Sequence, residues 1–408
     1  MATTPLDGLR VIDFTRVLAG PHCTKTLRDL GADVVKIEPP AGDIGRMGVP
    51  NIDNMGLYFA QQNAGKRILS LDLNWPEARE LVLKLCAEAD VICENFRPGT
   101  LGQFGLGYDD VAAVNPGVIY VSMSGYGQTG PWKNRPAFAP TVQAEVGLTR
   151  IVEEHFGDAL TELRNDPCSH ADVYTGLHGA IAVLAALAQR NRTGLGQHVD
   201  VAMAATMLSV NERAGALLSG IDFQDEPLAL SAPESPIFEL PGDITLTIAA
   251  SPVWTPIFGR YCAMMRRNDL RTDPRFATPA LRREHLADLL AEVRSWLLTF
   301  GDLDELQAQV SEAGLAIGVV RTTEELAESE WAEEWGAVVD VDVRNGDTVR
   351  LPGPPWRFSG ADYVPPSGPA WQGEHNEEIL REAGVSQATI DELKDKGILV
   401  ARYEDRWT

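Results

Sequence analysis

Residues 10–38 read RVIDFTRVLAGPHCTKTLRDLGADVVKIE, and the runs at the two ends of this stretch decide the fold. Arg10 to Phe14 is a short β-type run, and a loop follows through Gly20-Pro21. A helical stretch then ends at Gly31, a residue suited to a helix C-cap because it tolerates left-handed backbone. Ala32 to Glu38 reads as the next strand. The alternation continues outward: Arg67 to Leu73 is a strand, and Asn74 with Pro76 opens a helix that runs to about Glu88. Val91 to Glu94 and Val118 to Ser122 are strands separated by a helical segment near Tyr108 to Val114. Such repetition predicts an α/β fold, a parallel sheet with helices on both faces.

Tyr174 to Arg190 is rich in alanine and leucine on nearly all sides, which predicts a buried helix. A turn cluster, Asn191 to Gly196, leads to a strand over Gln197 to Met203. The pattern changes after about Glu212. Asp225 to Gly242 reads as a linker or exposed loop, and a strand (Ile244 to Ala249) with charged amphipathic helices (Leu281 to Leu298, Asp302 to Ala313) predicts a smaller α+β domain. A proline-rich stretch, Leu351 to Pro369, precedes a helical tail.

A chain of 408 residues is too long for one simple core, so two domains are expected. With 35 basic and 58 acidic residues the net charge is −23, which repels nucleic acid and anionic lipid, so neither is an expected partner. The N-terminus has no signal-peptide pattern, and the most apolar stretch, Leu177 to Leu187, is too short to span a bilayer. Five scattered cysteines and seven histidines form no metal-ligand pattern. A cytoplasmic protein without disulfides, metal or prosthetic group is expected.

Gly125-Tyr126-Gly127-Gln128-Thr129-Gly130 matches the dinucleotide fingerprint, but Pro131 to Pro136 after it cannot open the helix that would hold a pyrophosphate. These glycines read instead as a tight loop at a strand end. Cys168 and His170, two residues apart, are not diagnostic of a thiol nucleophile. Asp172 stands just before the predicted helix, where it suits an N-cap. Helix-end N–H groups there would also favour an ionised carboxylate, able to attack a thioester as a nucleophile.

Leu6 to Phe14, Val17 to Pro21 and Leu30 to Glu38 resemble the opening of the family III CoA-transferases. That group includes formyl-CoA transferase, carnitine CoA-transferase and the 2-methylacyl-CoA racemases. Asn63 to Leu73, Glu94 to Thr100 (ENFRPGT), Ser124 to Pro131, Asp172 to Gly179 (DVYTGLHG), Gly194 to Val201 and Asp273 to Thr278 match in order, as do Leu351 to Phe358 and Gly373 to Leu380. The resemblance implies a large Rossmann-like domain whose parallel sheet is built from both chain ends, 1–205 and 351–408. It also implies linkers at 206–230 and 326–350, a small domain at 231–325, and an interlocked homodimer. It implies transfer of CoA from an acyl-CoA thioester to a carboxylic acid, through an aspartyl anhydride and an aspartyl-CoA thioester. Asp172 would be the nucleophile and the backbone of Leu18 and Ala19 an oxyanion site. Leu73, Asn95, Phe96, Arg97, Arg135 and Phe138 would contact CoA.

The chain departs from this pattern at Pro39, where the formyl-CoA transferases tend to carry a CoA-binding arginine. Arg46 or Lys66 is the expected substitute. Leu18 replaces a glutamine, and a glycine-rich loop has no counterpart between Phe223 and Phe238. These departures argue against formyl-CoA and oxalate as substrates, and Arg150 to Asn165 is the segment expected to shape acceptor choice. A racemase or a catalytically inactive CoA-binding protein are the alternatives. The racemase bases align with Phe138 and Ser251, which cannot exchange a proton, and the retained Asp172 argues against lost catalysis.

Overall fold

The computed structural model describes residues 4–52, 55–156, 166–220, 235–343, 348–363 and 365–402. Two compact units emerge, residues 1–211 with 331–408, and residues 212–330. The larger unit is organised by six parallel strands: β1 (Arg10–Asp13), β2 (Asp33–Glu38), β3 (Arg67–Ser70), β4 (Val91–Glu94), β5 (Ile119–Ser124) and β6 (Gln197–Ala202). Their spatial order is β3-β2-β1-β4-β5-β6, with Val11 beside Val34 on one side and Val91 on the other. The order reverses direction between β1 and β4. In open α/β sheets that switch point leaves a crevice at the carboxyl ends of the strands.

Alternate side chains of each strand go to opposite faces. Val11, Val34, Val91 and Ile119 pack with Cys23 and Leu27 of helix α1 (Ala19–Asp29). Ile12, Val35, Ile92 and Tyr120 pack with Ala78, Val82 and Leu85 of helix α2 (Pro76–Ala87). All six strands lie within residues 10–202, so the sheet is not built from both chain ends. The C-terminal segment returns as helices Asn376–Glu382 and Gln387–Asp395, whose Ile379, Leu380, Ile390 and Leu393 cover the α2 face. Its sequence carries a helical rather than a β pattern, and it meets the sheet edge through the bridge Leu71–Leu399 and isolated bonds such as Val400 N–H to the Ser70 carbonyl and Ser70 N–H to Asn376 Oδ1, without adding a strand.

Helix α3 (His170–Thr193) has the length and apolarity of a membrane span, but Thr175, Gly176, Gly179, Ala180 and Val183 are buried and Ala180 and Val183 join the α1 side of the core. It starts at His170, so Asp172 lies inside the first turn, not at the cap as its sequence position suggests. The cause is local: Asp166 accepts from the Cys168 N–H and pairs with the His170 ring, closing a turn that lets the helix begin early. The buried Gln143 side chain accepts from the Ala171 N–H and tethers that first turn.

The expected linkers contain ordered elements. Helices Met203–Ser209 and Ala214–Ser219 lie in the first, and Val338–Asp342 pairs antiparallel with Thr348–Pro352 at the end of the second. Residues 221–234 and 157–165, which include most of the expected loop (225–242) and of the acceptor segment, lie outside the described residues; the rest of that loop is not irregular, since Ile237–Leu240 pairs as a strand with Ile244–Ile248. Among its described residues the smaller unit has three antiparallel strands, Ile237–Leu240, Ile244–Ile248 and Ile317–Val319, packed on helices through Leu246, Tyr261, Leu289 and Val310.

Gly176 sets the approach of α3 to α1. A Cβ there would stand 2.5 Å from the Ala19 carbonyl oxygen and 3.0 Å from His22 Cβ. Backbone cannot move aside as a side chain can. Gly176→Ala is therefore expected to destabilise the protein by about 1–3 kcal/mol, despite alanine's higher helix propensity. Urea unfolding measures this, and an unchanged midpoint would mean that the helices separate without cost.

Candidate active site

The loop after β1 is held from below by a buried ionic network. Asp13 accepts from the Thr15 N–H and hydroxyl at 2.8 and 2.5 Å, and from Thr24 Oγ1 at 2.6 Å. Lys66 Nζ stands 3.1 Å from Asp13 Oδ2 and also donates to Thr24, Asn63 and the Pro21 carbonyl. Lys36 pairs with Asp43 at 3.0 Å and donates to the Thr15 carbonyl. Burial pushes Asp13 up, but Lys66, Lys36 and the two hydroxyls together hold it below the usual carboxylate range. Burial brings Lys66 down to about 8 against the pull of Asp13.

This network holds Val17 at φ 68°, a left-handed conformation that costs a β-branched residue about 1–3 kcal/mol. Asp43 Oδ1 accepts the Val17 N–H at 3.2 Å and the Gly45 N–H at 2.9 Å. The twist turns the chain directly into α1, where Leu18 and Ala19 present N–H groups that lack intrahelical acceptors. Across the switch point, Asn95 clamps the neighbouring backbone: its Oδ1 accepts the Arg16 N–H and its Nδ2 donates to the Arg16 carbonyl, both at 2.9 Å. The Arg16 guanidinium lies 5.3 Å from the Phe96 ring centre.

Between these loops is a cleft of about 190 Å³. Leu18, Ala19, Asn95, Phe96, Arg97, Arg135, Phe138 and Asp172 all line it, together with Arg16, Lys133 and Thr175. Sequence reasoning missed Arg16 and Lys133. The signal for Arg16 was available in its place directly after β1. Leu73 is not in the cleft lining; it packs on the α2-side core, as Phe96 also does.

The half-buried Asp172 carboxylate accepts no hydrogen bond from the described residues, and burial pushes its pKa up to about 6. The helix end therefore does not keep it in the ordinary carboxylate range. The Tyr58 phenol, raised to about 12 by burial and by the charges of Asp172 and Asp43, shares its surroundings. Among the described residues Arg16, Arg97 and Lys133 make no ion pair with an acid, whereas Arg135 pairs with Glu145 at 2.6 Å and stacks on Trp132.

Neither expected substitute for the missing arginine is available. Arg46 is buried, paired with Glu38 at 2.9 Å, bonded to the Ala370 carbonyl and stacked on Phe59. Lys66 is fully buried in the network above. Gly125 lines the cleft as a strand-end loop residue, and Asp200 Oδ2 steadies that loop through the Gln128 N–H at 2.8 Å.

A parallel sheet whose switch point carries a carboxylate and cations with no ion pair among the described residues suits an anionic ligand there. The profile of CoA-transferase family III matches residues 6–376, so the chain belongs to that family and is a CoA-transferase. It is 34% identical to the succinyl-CoA:mesaconate CoA-transferase of Haloarcula hispanica, over 94% of this chain and 98% of that protein. It is 31% identical to the formyl-CoA:oxalate CoA-transferase of Rhodopseudomonas palustris, over 97% of each chain. The crystal structure of a CAIB/BAIF family protein from Brucella suis is similar at TM-score 0.77 and 32% identity, over 93% of this chain and 100% of that one.

Replacing Lys66 by methionine leaves Asp13 buried beside one fewer cation. Lys66→Met is expected to cost about 3–5 kcal/mol, the scale for breaking a buried pair. A loss below about 1 kcal/mol in urea unfolding would show that the network does not carry the loop.

Proposed function

We propose that the chain moves CoA between carboxylic acids with Asp172 as covalent nucleophile. The observation that carries this reading is one cleft holding a desolvated carboxylate without a hydrogen-bond partner among the described residues, beside free helix N–H groups and unpaired cations. A carboxylate stripped of hydrogen bonds is a better nucleophile than a solvated one, and it needs only to be ionised.

An Asp172 oxygen attacks the thioester carbonyl; the C–S bond breaks, leaving an acyl-aspartyl anhydride and CoA thiolate. The thiolate attacks the aspartyl carbonyl of the anhydride, releasing the donor acid as carboxylate and giving an aspartyl-CoA thioester. The acceptor carboxylate opens that thioester, forming a second anhydride and freeing the thiolate again. Attack of the thiolate on the acceptor's acyl carbon yields the new acyl-CoA and returns Asp172 as carboxylate. Each tetrahedral oxyanion is met by the Leu18 and Ala19 N–H groups, donors already oriented before charge develops. Arg16, Arg97 and Lys133 pair with CoA phosphates, and Asn95, Phe96 and Phe138 flank the arm. No prosthetic group is required by this sequence of steps. Phe138 in the cleft has no exchangeable proton to serve a racemase.

Relatives that use mesaconate and oxalate are almost equally similar, so identity does not select the acids. The same reading puts the enzyme in the cytoplasm, with the CoA pool, as a homodimer. Ile181 at 60% and Leu184 at 39% exposure leave an apolar stripe on α3, and a second copy would cover it. Analytical ultracentrifugation should give a dimer that Ile181→Asp weakens; a folded wild-type monomer at micromolar concentration would exclude it.

Asp172→Asn should abolish turnover while keeping CoA affinity. The raised native pKa means that the folded state binds the Asp172 proton more tightly than the unfolded state. Ionisation thus costs stability as pH rises from about 4 through about 6, and the Asn variant should melt no lower than wild type at pH 7. Wild-type kcat/KM should rise with pH along an acid limb centred near 6. Hydroxylamine added after acyl-CoA should convert Asp172 to a hydroxamate, identified by peptide mass spectrometry. Turnover by Asn variant free of deamidation would remove Asp172 from the nucleophile role. Arg97→Ala should weaken CoA binding by about 1.5–3 kcal/mol in calorimetry.

A further inference from the structure

Glu94 closes β4 directly beneath the loop that carries Asn95, Phe96 and Arg97, and it is only 5% exposed. Its Oε2 accepts the Phe96 N–H at 2.8 Å, and its carboxyl group is also hydrogen-bonded to Ser122 on β5. Ser122 Oγ in turn lies 2.9 Å from His198 Nε2 on β6. The His198 ring is stacked on Tyr108 at 5.0 Å and edge-on to Tyr120 at 5.6 Å, and burial keeps it below the usual histidine range. Among the described residues no cation forms an ion pair with Glu94. The catalytic steps above do not use this group.

We propose that Glu94 is a positioning residue for the CoA-binding loop and carries a proton when the phosphates of CoA are bound. The hydrogen-bond chain permits this without leaving a group unsatisfied. As a carboxylate, Glu94 accepts from the Phe96 N–H and the Ser122 hydroxyl, and Ser122 accepts from His198 Nε2–H. As an acid, it still accepts from Phe96 through Oε2, while its other oxygen donates the added proton to Ser122 Oγ. The Ser122 hydrogen then turns to the lone pair of a neutral His198 protonated at Nδ1. The loop is held in both states, but only the acid removes a negative charge from beneath Arg16, Arg97 and the incoming phosphates.

The other ionisable groups facing Glu94 act consistently. Burial first, and then the Asp200 charge on β6, push its pKa up to about 7, while the Ser122 and Phe96 hydrogen bonds oppose them. Tyr120 on β5, whose hydroxyl donates to the Leu106 carbonyl at 2.9 Å, stays neutral because burial and Glu94 raise its pKa. Cys93, next to Glu94 in β4, is likewise held as a thiol by Cys23 and burial. Tyr108 stacks on His198, and the Arg16 guanidinium lies 5.3 Å from the Phe96 ring centre.

This inference rests on the reading of the cleft as the CoA site, and its test separates the two. Coenzyme A is titrated into wild type, Glu94→Gln and Ser122→Ala at pH 7 by calorimetry, in buffers of different ionisation enthalpy. Wild type should take up roughly half a proton more than Glu94→Gln, the share a group of pKa about 7 can still accept. The KM for acyl-CoA should rise above pH 7 in wild type and stay flat in Glu94→Gln. Glu94→Ala should raise KM about tenfold with little change in kcat, and Gln should recover most of that loss. If Glu94→Gln fails to fold, Ser122→Ala supplies the comparison: it removes a hydrogen bond that favours the carboxylate, so the rise in KM should move to higher pH. Equal proton uptake and parallel KM profiles in wild type and variants would overturn this inference alone. Absence of CoA binding to wild type would overturn the functional reading with it.

Discussion

Everything at the active end of the sheet depends on two lysines and two aspartates buried beneath the first loop. Asp13, Lys66, Lys36 and Asp43 carry no net charge as a set, and hydroxyls, amides and carbonyls of the loop bond to each of them, while Asp43 Oδ2 meets only the Lys36 ammonium at 3.0 Å. Removing such charges from water is costly, and their mutual attraction repays the cost only when the geometry is filled completely. Here the remaining bonds go to Thr15, Val17, Pro21, Thr24 and Gly45, so the network's geometry is also the loop's geometry. A strained Val17 is tolerated because the surrounding bonds over-determine it.

Close packing completes what the charges begin. A Cβ on Gly20 would stand 2.2 Å from Thr15 Cβ, and one on Gly179 would stand 3.0 Å from Met123 Sδ and 3.1 Å from Cys23 Sγ. Glycine at these places brings α1 against its own loop and α3 against both α1 and β5. The carboxylate of Asp172 therefore comes to the cleft by rigid helix packing, with Gln143 fixing the first turn from the side. A carboxylate carried on a packed helix keeps its place in the cleft that Leu18 and Ala19 also line, without a further ordering cost.

The strands could be read from the residues because Val and Ile alternate at a period set by the pleat, and the order of strand and helix signals leaves few topologies. The rejection of the glycine run as a dinucleotide loop also holds, since helix Ala139–Glu145 begins only beyond Pro136. What sequence could not show was which cations are spent inside the fold. Arg46 and Lys66 look as available as Arg97 in the bare chain, yet Glu38 and Asp13 lie where only strand pairing can bring them. The helix start at His170 was hidden for a related reason. It depends on the Asp166 side chain closing the preceding turn, a local bond that periodicity does not register. The placement of the C-terminal segment was misjudged because chain-end motifs say that a segment belongs to the larger unit, not that it adds strands.

A protein of net −23 that binds a polyanion must solve an electrostatic conflict locally. At physiological salt, charges more than about 8 Å away across solvent are largely screened, so the distant excess of acid matters little at the cleft. Nearby pairing matters more. Arg67 is held by Asp33, Glu378 and Glu382, Arg190 by Asp90 and Arg267 by Asp269 and Glu292. Among the described residues Arg16, Arg97 and Lys133 make no ion pair with an acid, and they gather around one opening. All three are exposed, so an incoming anion meets them without a prior cost of burying charge. Asp172 stands in the same cleft with no ion pair among the described residues, and burial raises its pKa to about 6. A carboxylate paired with one of those cations would be ionised at every working pH with its lone pairs engaged, whereas this one leaves them free of any bond from the described residues.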